Sequence, residues 1–102
     1  MFEAQLKRLV ERCINLMPAA EITTHFIFER EGFVALVERT PDGFGNIGAP
    51  GLLGGPAGFA ALVWRGGEPW FVARGFEQQA TAEQVAAIRR FADDLEYALR
   101  GQ

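Results

Sequence analysis

Serine is absent from this chain of 102 residues, and cysteine and histidine occur once each, as Cys13 and His25. Each scarcity closes off some chemistry. One cysteine can form neither an internal disulfide nor a thiolate metal cage, and it fits a reducing cytoplasm. One histidine excludes a multi-histidine metal site, and without serine no hydroxyl nucleophile of the usual kind is at hand. No cofactor or metal is expected.

Charge of one sign is also lacking. The formal net charge is -3, the isoelectric point lies near 5.1, and the ten basic residues are scattered rather than gathered into a stripe. Such a chain has no field to attract a phosphate backbone, so no nucleic-acid partner is expected. Trp64 and Trp70 have few basic neighbours and do not make a base-stacking platform. No apolar run approaches membrane-spanning length, and the first residues lack the order of a signal peptide, so no membrane anchor is expected and the location read from the sequence is cytoplasmic.

What is present is a globular composition, 49% hydrophobic and 23% charged, in a length that suits one domain over residues 1–102. From Phe2 to Met17, apolar residues recur three and four apart (Phe2, Leu6, Leu9, Val10, Cys13, Ile14, Met17), which predicts a helix ended by Pro18. Lys7, Arg8, Glu11 and Arg12 then face water, and Cys13 sits in the buried stripe as a small hydrophobe. Ile22 to Glu29 and Phe33 to Arg39 predict a hairpin turning near Gly32. Phe59 to Arg65 and Glu68 to Arg74 predict a second one around Gly66-Gly67, with Arg65 opposite Glu68. Thr81 with Gln84 three residues on is a capping box, and Val85, Ile88, Phe91, Ala92, Leu95 and Leu99 supply the apolar stripe of a last helix stopped by Gly101. Asp93, Asp94 and Glu96 read as its solvated face.

The fold class predicted is therefore α+β: a four-stranded antiparallel sheet of two hairpins, order α-β-β-β-β-α, with both terminal helices on one face. Residues 40–58 read as a long loop rich in glycine and proline that carries Phe44, Ile47, Leu52 and Leu53. So apolar a loop should lie on the sheet or on a second chain. Its Gly43-Phe44-Gly45-Asn46-Ile47-Gly48 has the G-x-G-x-x-G spacing of dinucleotide sites. However, Ala49-Pro50-Gly51 breaks any helix that would hold the anion, and no βαβ unit surrounds it.

Alternation assigns Ile22, Thr24, Phe26, Phe28, Phe33, Ala35, Val37, Ala60, Leu62, Trp64, Phe71 and Ala73 to the helix-covered face. The opposite face should be polar if water met it. Instead its centre reads Ile27, Val34, Leu36, Phe59, Ala61, Val63, Trp70 and Val72, with His25, Glu29, Glu38, Arg65, Glu68 and Arg74 toward the margins. An apolar centre inside a polar rim is the anatomy of an interface. This predicts a non-enzymatic homodimeric interaction or scaffold module, with Trp70 and Arg74 as anchors and a second copy or another protein over the face. Two other readings use the same residues: the loop alone covers the face, or loop 40–58 and the sheet enclose a small apolar ligand, as in a sensor domain. His25 and Glu38 share a face and could in principle exchange a proton, but a structural or interface role for His25 is the reading adopted.

Overall fold

The computed structural model of the protein describes residues 2–18, 21–53 and 58–101. Along the chain come α1 (Glu3–Glu11), β1 (Asn15–Met17), β2 (His25–Arg30), β3 (Phe33–Thr40), β4 (Gly43–Ile47), β5 (Gly51–Leu53), β6 (Phe59–Arg65), β7 (Glu68–Ala73), β8 (Phe76–Gln79) and α2 (Ala82–Arg100). The strands form one curled, half-barrel antiparallel sheet in the order β1-β2-β3-β5-β6-β7-β8, with β4 also paired to β3. The expected sheet of four strands is thus corrected to eight, although the α+β class stands.

The two hairpins form as expected. Arg30 pairs with Phe33 across Glu31 and Gly32, at φ 56° and 86°, and Arg65 pairs with Glu68 across Gly66 and Gly67, at φ 57° and 82°. Positive φ at both turn positions matches the twist of the flanking strands. The added strands come from segments too short or too rich in glycine to show alternation.

Much of the described part of the expected 40–58 loop is sheet, namely Thr40, Gly43–Ile47 and Gly51–Leu53. β4 pairs with the end of β3 through Val37↔Ile47, Arg39↔Phe44 and Thr40↔Gly43, and β5 pairs with its start through Phe33↔Leu52 and Val34↔Gly51. The two are one strand interrupted at 48–50, beside β3. Thr40-Pro41-Asp42-Gly43 makes the turn into it: proline presets φ, aspartate suits the next turn position, and Gly43 takes φ 130°. At Gly51 the neighbouring strand comes so close that a Cβ would collide with the Ala60 carbonyl and lie 2.7 Å from the Phe59 ring. Glycine is needed there for room, and residues 54–57 lie outside the described residues.

α1 is shorter than predicted, and the reason is local. Cys13 adopts φ 57°, its N–H donates to Val10 O (3.1 Å), and the Ile14 N–H donates to Leu9 O (3.0 Å). This is a Schellman stop, completed by the apolar pair Leu9 and Ile14 in the core. Cys13 is therefore exposed in a left-handed position, not buried in a helical stripe. The residues after it leave as β1, which pairs with β2 (Met17↔Ile27).

Both helices lie in the concavity of the sheet. Phe28, Phe71, Phe91 and Leu95 are wholly buried there, in a cluster that takes Leu9 from α1 and Val85, Ile88 and Leu99 from α2. Burial of each large side chain is worth about 1.5–3 kcal/mol in transfer free energy. The capping box is present in both directions, Gln84 N–H to Thr81 Oγ1 at 3.1 Å and Thr81 N–H to Gln84 Oε1 at 2.9 Å. α1 runs antiparallel to the end of α2. Arg8 Nε donates to Ala98 O (2.9 Å), and the Arg12 guanidinium lies 4.1 Å from the Tyr97 ring centroid. Asp94 accepts from Arg30 at 2.8 Å and faces Arg12 at 3.9 Å. Arg8, Arg12 and Asp94, expected in water, instead staple the helices to each other and to β2, because long side chains can cover apolar ground while keeping their heads wet.

Trp64 keeps to the expected helix side of the sheet but not to its buried core: it lies near the start of α2, beside Pro69 and Val85, and is 54% exposed. Ile22 precedes β2 rather than opening it, so its alternation carried no strand.

Candidate functional site on the outer face of the sheet

Strand pairing sets the outer face out in rows. One runs Met17, Ile27, Leu36; another Val34, Gly51, Ala61, Val72, Glu77; further pairs are Leu53 with Phe59, and Val63 with Trp70 and Gln79. These rows are the unhelixed side, because Phe28, Ala35, Val37 and Phe71, their immediate neighbours in sequence, are the ones buried under the helices. The Cα atoms span only 19 Å along the shortest axis, room for a sheet and one helical layer.

The apolar ground is unevenly exposed. Ile22 (39%), Leu36 (37%) and Leu53 (43%) stand open, and with Met17, Ile27 and Phe59 they line a groove of about 340 Å³. Val34, at the floor of that groove, is buried. Phe59 lies against Gly51, whose missing side chain leaves the ring a flat seat. Val63, Trp70 and Val72, farther along the sheet, are half-buried. Their region is bridged by the Arg65–Glu77 ion pair at 3.0 Å, whose partners stand in the rows on either side of Val63–Trp70. The open patch is thus centred on β2, β3 and β5, with Trp70 toward one side.

Of the loop residues expected to contribute, only Leu53 does so. Phe44, Ile47 and Leu52 point the other way and pack on the core, Phe44 making edge-on contacts with Phe2, Phe26 and Phe28 at 5.4, 5.1 and 6.0 Å between centroids. The described residues of 40–58 therefore extend the sheet instead of folding over its outer face. The groove over this face takes Leu53 and Gly58 from that segment and the rest of its lining from Met17, Pro18, Ile22 and strands β2, β3 and β6. Met17 and Ile22 were missed as members of the site. The sequence put Met17 in the helical stripe and Ile22 on the helix-covered face, but Met17 lies in a β1 too brief to show period-two alternation and Ile22 precedes β2, and both line the outer groove.

His25 and Glu38 are register partners at the end of β2 and β3. Among the described residues neither a hydrogen bond nor an ion pair joins them; His25 Nδ1 instead meets Thr24 Oγ1 at 2.9 Å. Glu29, at the opposite end, has its carboxyl held below the ordinary range, first by the Gly32 N–H (3.0 Å) and then by the Asn15 amide (3.1 Å). Arg74 stands exposed in the turn between β7 and β8. Among the described residues no three His, Cys, Asp or Glu side chains gather as metal ligands, and no helix is long and apolar enough to cross a membrane.

The architecture places the chain in a class: α+β, with a curled antiparallel half-barrel wrapped on two terminal helices. No family model, curated protein or solved structure matches it.

Proposed function

We propose that the protein is a non-enzymatic interaction module that acts as a homodimer, two copies meeting across the outer faces of their sheets. The observation that carries this reading is the open patch of Ile22, Leu36 and Leu53 over β2, β3 and β5, on a face that neither helix reaches. Exposed apolar patches with polar margins mark association sites.

The charges at the margin favour a second copy over an unrelated partner. Glu29 and Glu38 lie on the β2–β3 side, and Arg74 lies at the far end of β7. A twofold axis parallel to the strands exchanges the two sides and keeps the level along them, so Glu29, in the row of Val72 two residues before Arg74, approaches its partner's guanidinium. Leu36 is the anchor chosen for testing, because it is exposed and lies outside the buried core cluster.

Sedimentation equilibrium across a wide concentration range is the test. The wild type should be a dimer that dissociates on dilution. Leu36→Glu should be a monomer at every concentration with an unchanged circular dichroism spectrum. A wild type that stays monomeric at millimolar concentration defeats the proposal.

A further inference from the structure

On the concave side, Phe2, Leu6, Leu9, Leu16, Phe26, Phe28 and Phe44 line a half-open hollow of about 200 Å³ between α1 and strands β1, β2 and β4, with carbon alone on its walls. Water has no partner in such a site, and a cavity of roughly 150 Å³ with similar walls accepts benzene. Leu16 and Phe26 also line the adjoining cleft, where Arg39 and His25 stand. The Arg39 guanidinium lies 4.3 Å from the Phe26 ring centroid. Among the described residues no carboxylate lies within ion-pair distance of it. An apolar chamber thus opens beside one unmatched cation, and Glu38, next to Arg39 in β3, belongs to the opposite face.

We propose that this chamber binds a monocarboxylate with a phenyl-sized apolar body, the ring held among the phenylalanines and the carboxylate taken by Arg39. Edge-on packing around Phe44 suits a further aromatic ring, and a guanidinium pairs with a carboxylate through two parallel hydrogen bonds. A cationic head would meet Arg39 as a like charge, and a neutral one would forgo the charge-assisted bond. The chamber itself shares no residue with the outer groove, whereas the cleft holding Arg39 also takes Met17, Pro18 and Ile27 at the sheet edge.

Calorimetric titration with three probes of one shape tests it: 3-phenylpropanoate, 3-phenylpropan-1-ol and 3-phenylpropylamine. The carboxylate should bind about tenfold more tightly than the alcohol, the scale of one charge-assisted hydrogen bond, and the amine should bind least. Arg39→Met should remove the preference for the carboxylate and leave the alcohol's affinity unchanged. Leu6→Trp fills the chamber from an exposed helical position and should abolish binding of all three; Leu16→Trp serves the same purpose if that variant does not fold. Leu36→Glu should bind 3-phenylpropanoate as the wild type does. The proposal is overturned if none of the probes binds the wild type at millimolar concentration, if affinity ignores the head group, or if binding survives both chamber-filling variants.

Discussion

The concave and outer faces of the sheet are built from alternate residues of the same strands, and both are apolar, yet only one is closed. On the concave side Phe28, Ala35, Val37 and Phe71 are wholly buried beneath α1 and α2. On the outer side their neighbours Ile27, Leu36 and Val72 are at least partly open. Hydrophobicity alone therefore does not tell a covered face from an open one. What separates the faces is where the helices go, and that is set by the helices' own stripes and by the inward curl of the sheet.

Substitutions at matched positions should break the symmetry of composition. Phe71→Ala empties a fully buried ring position, and urea unfolding should show a loss of about 3–5 kcal/mol. Leu36→Ser, made on the outer face and measured in dilute monomer, should change stability by about 0.5 kcal/mol or less. Equal losses at the two positions would mean that the outer face is closed within one chain.

Gly51→Ala comes next in size. The new methyl would meet the Ala60 carbonyl and the Phe59 ring, so the β5–β6 pairing must shift, and a loss of about 1–3 kcal/mol is expected in the same assay. Because the clash falls on the outer surface, the groove should distort while the helical core persists.

Cys13→Gly should act in the opposite direction. Cys13 holds a left-handed conformation that glycine adopts without steric cost, so stability should rise by up to about 1 kcal/mol, less the entropy that glycine adds to the unfolded chain. Thermal melting of the two proteins is the check.

The smallest effect concerns Glu29. Its folded pKa is depressed below the ordinary glutamate value of 4.5, so its contribution is fully present above that pH and is lost as pH falls through the folded value. Glu29→Gln should be slightly less stable than the wild type near neutrality. The gap should close on acidification below 4.5.

Much of the fold was legible in the sequence where a local physical signal exists. Both hairpins, the Arg65–Glu68 register and the Thr81–Gln84 box follow from turn and cap chemistry, and the set of residues beneath the helices follows from alternation. The end of α1 was not legible, because Cys13 is no glycine and the apolar spacing runs on through Met17; tertiary burial of Leu9 and Ile14 stops the helix instead. β4 and β5 were hidden by Gly43, Gly45, Gly48 and Gly51, residues that lower strand propensity yet are required where backbones approach. The turn signal at Pro41-Asp42-Gly43 was available to mark their start. Within the candidate site, the pairing of Ile27 with Leu36 was readable from the hairpin, whereas the approach of Met17, Ile22 and Leu53 to that pair depends on strands only the assembled sheet defines. Trp70 illustrates the converse: alternation put it on the correct face, but the Arg65–Glu77 bridge beside it is a tertiary contact.

The central claim is that the outer face of the sheet rests against the outer face of another chain's sheet. Isotope-filtered NOE spectra on an equimolar mixture of labelled and unlabelled protein address it directly. Cross-peaks between chains at the Ile27, Leu36 and Leu53 methyl groups are predicted. Their absence in a sample concentrated enough for every copy to meet another, with those methyls in contact with water, would contradict the account.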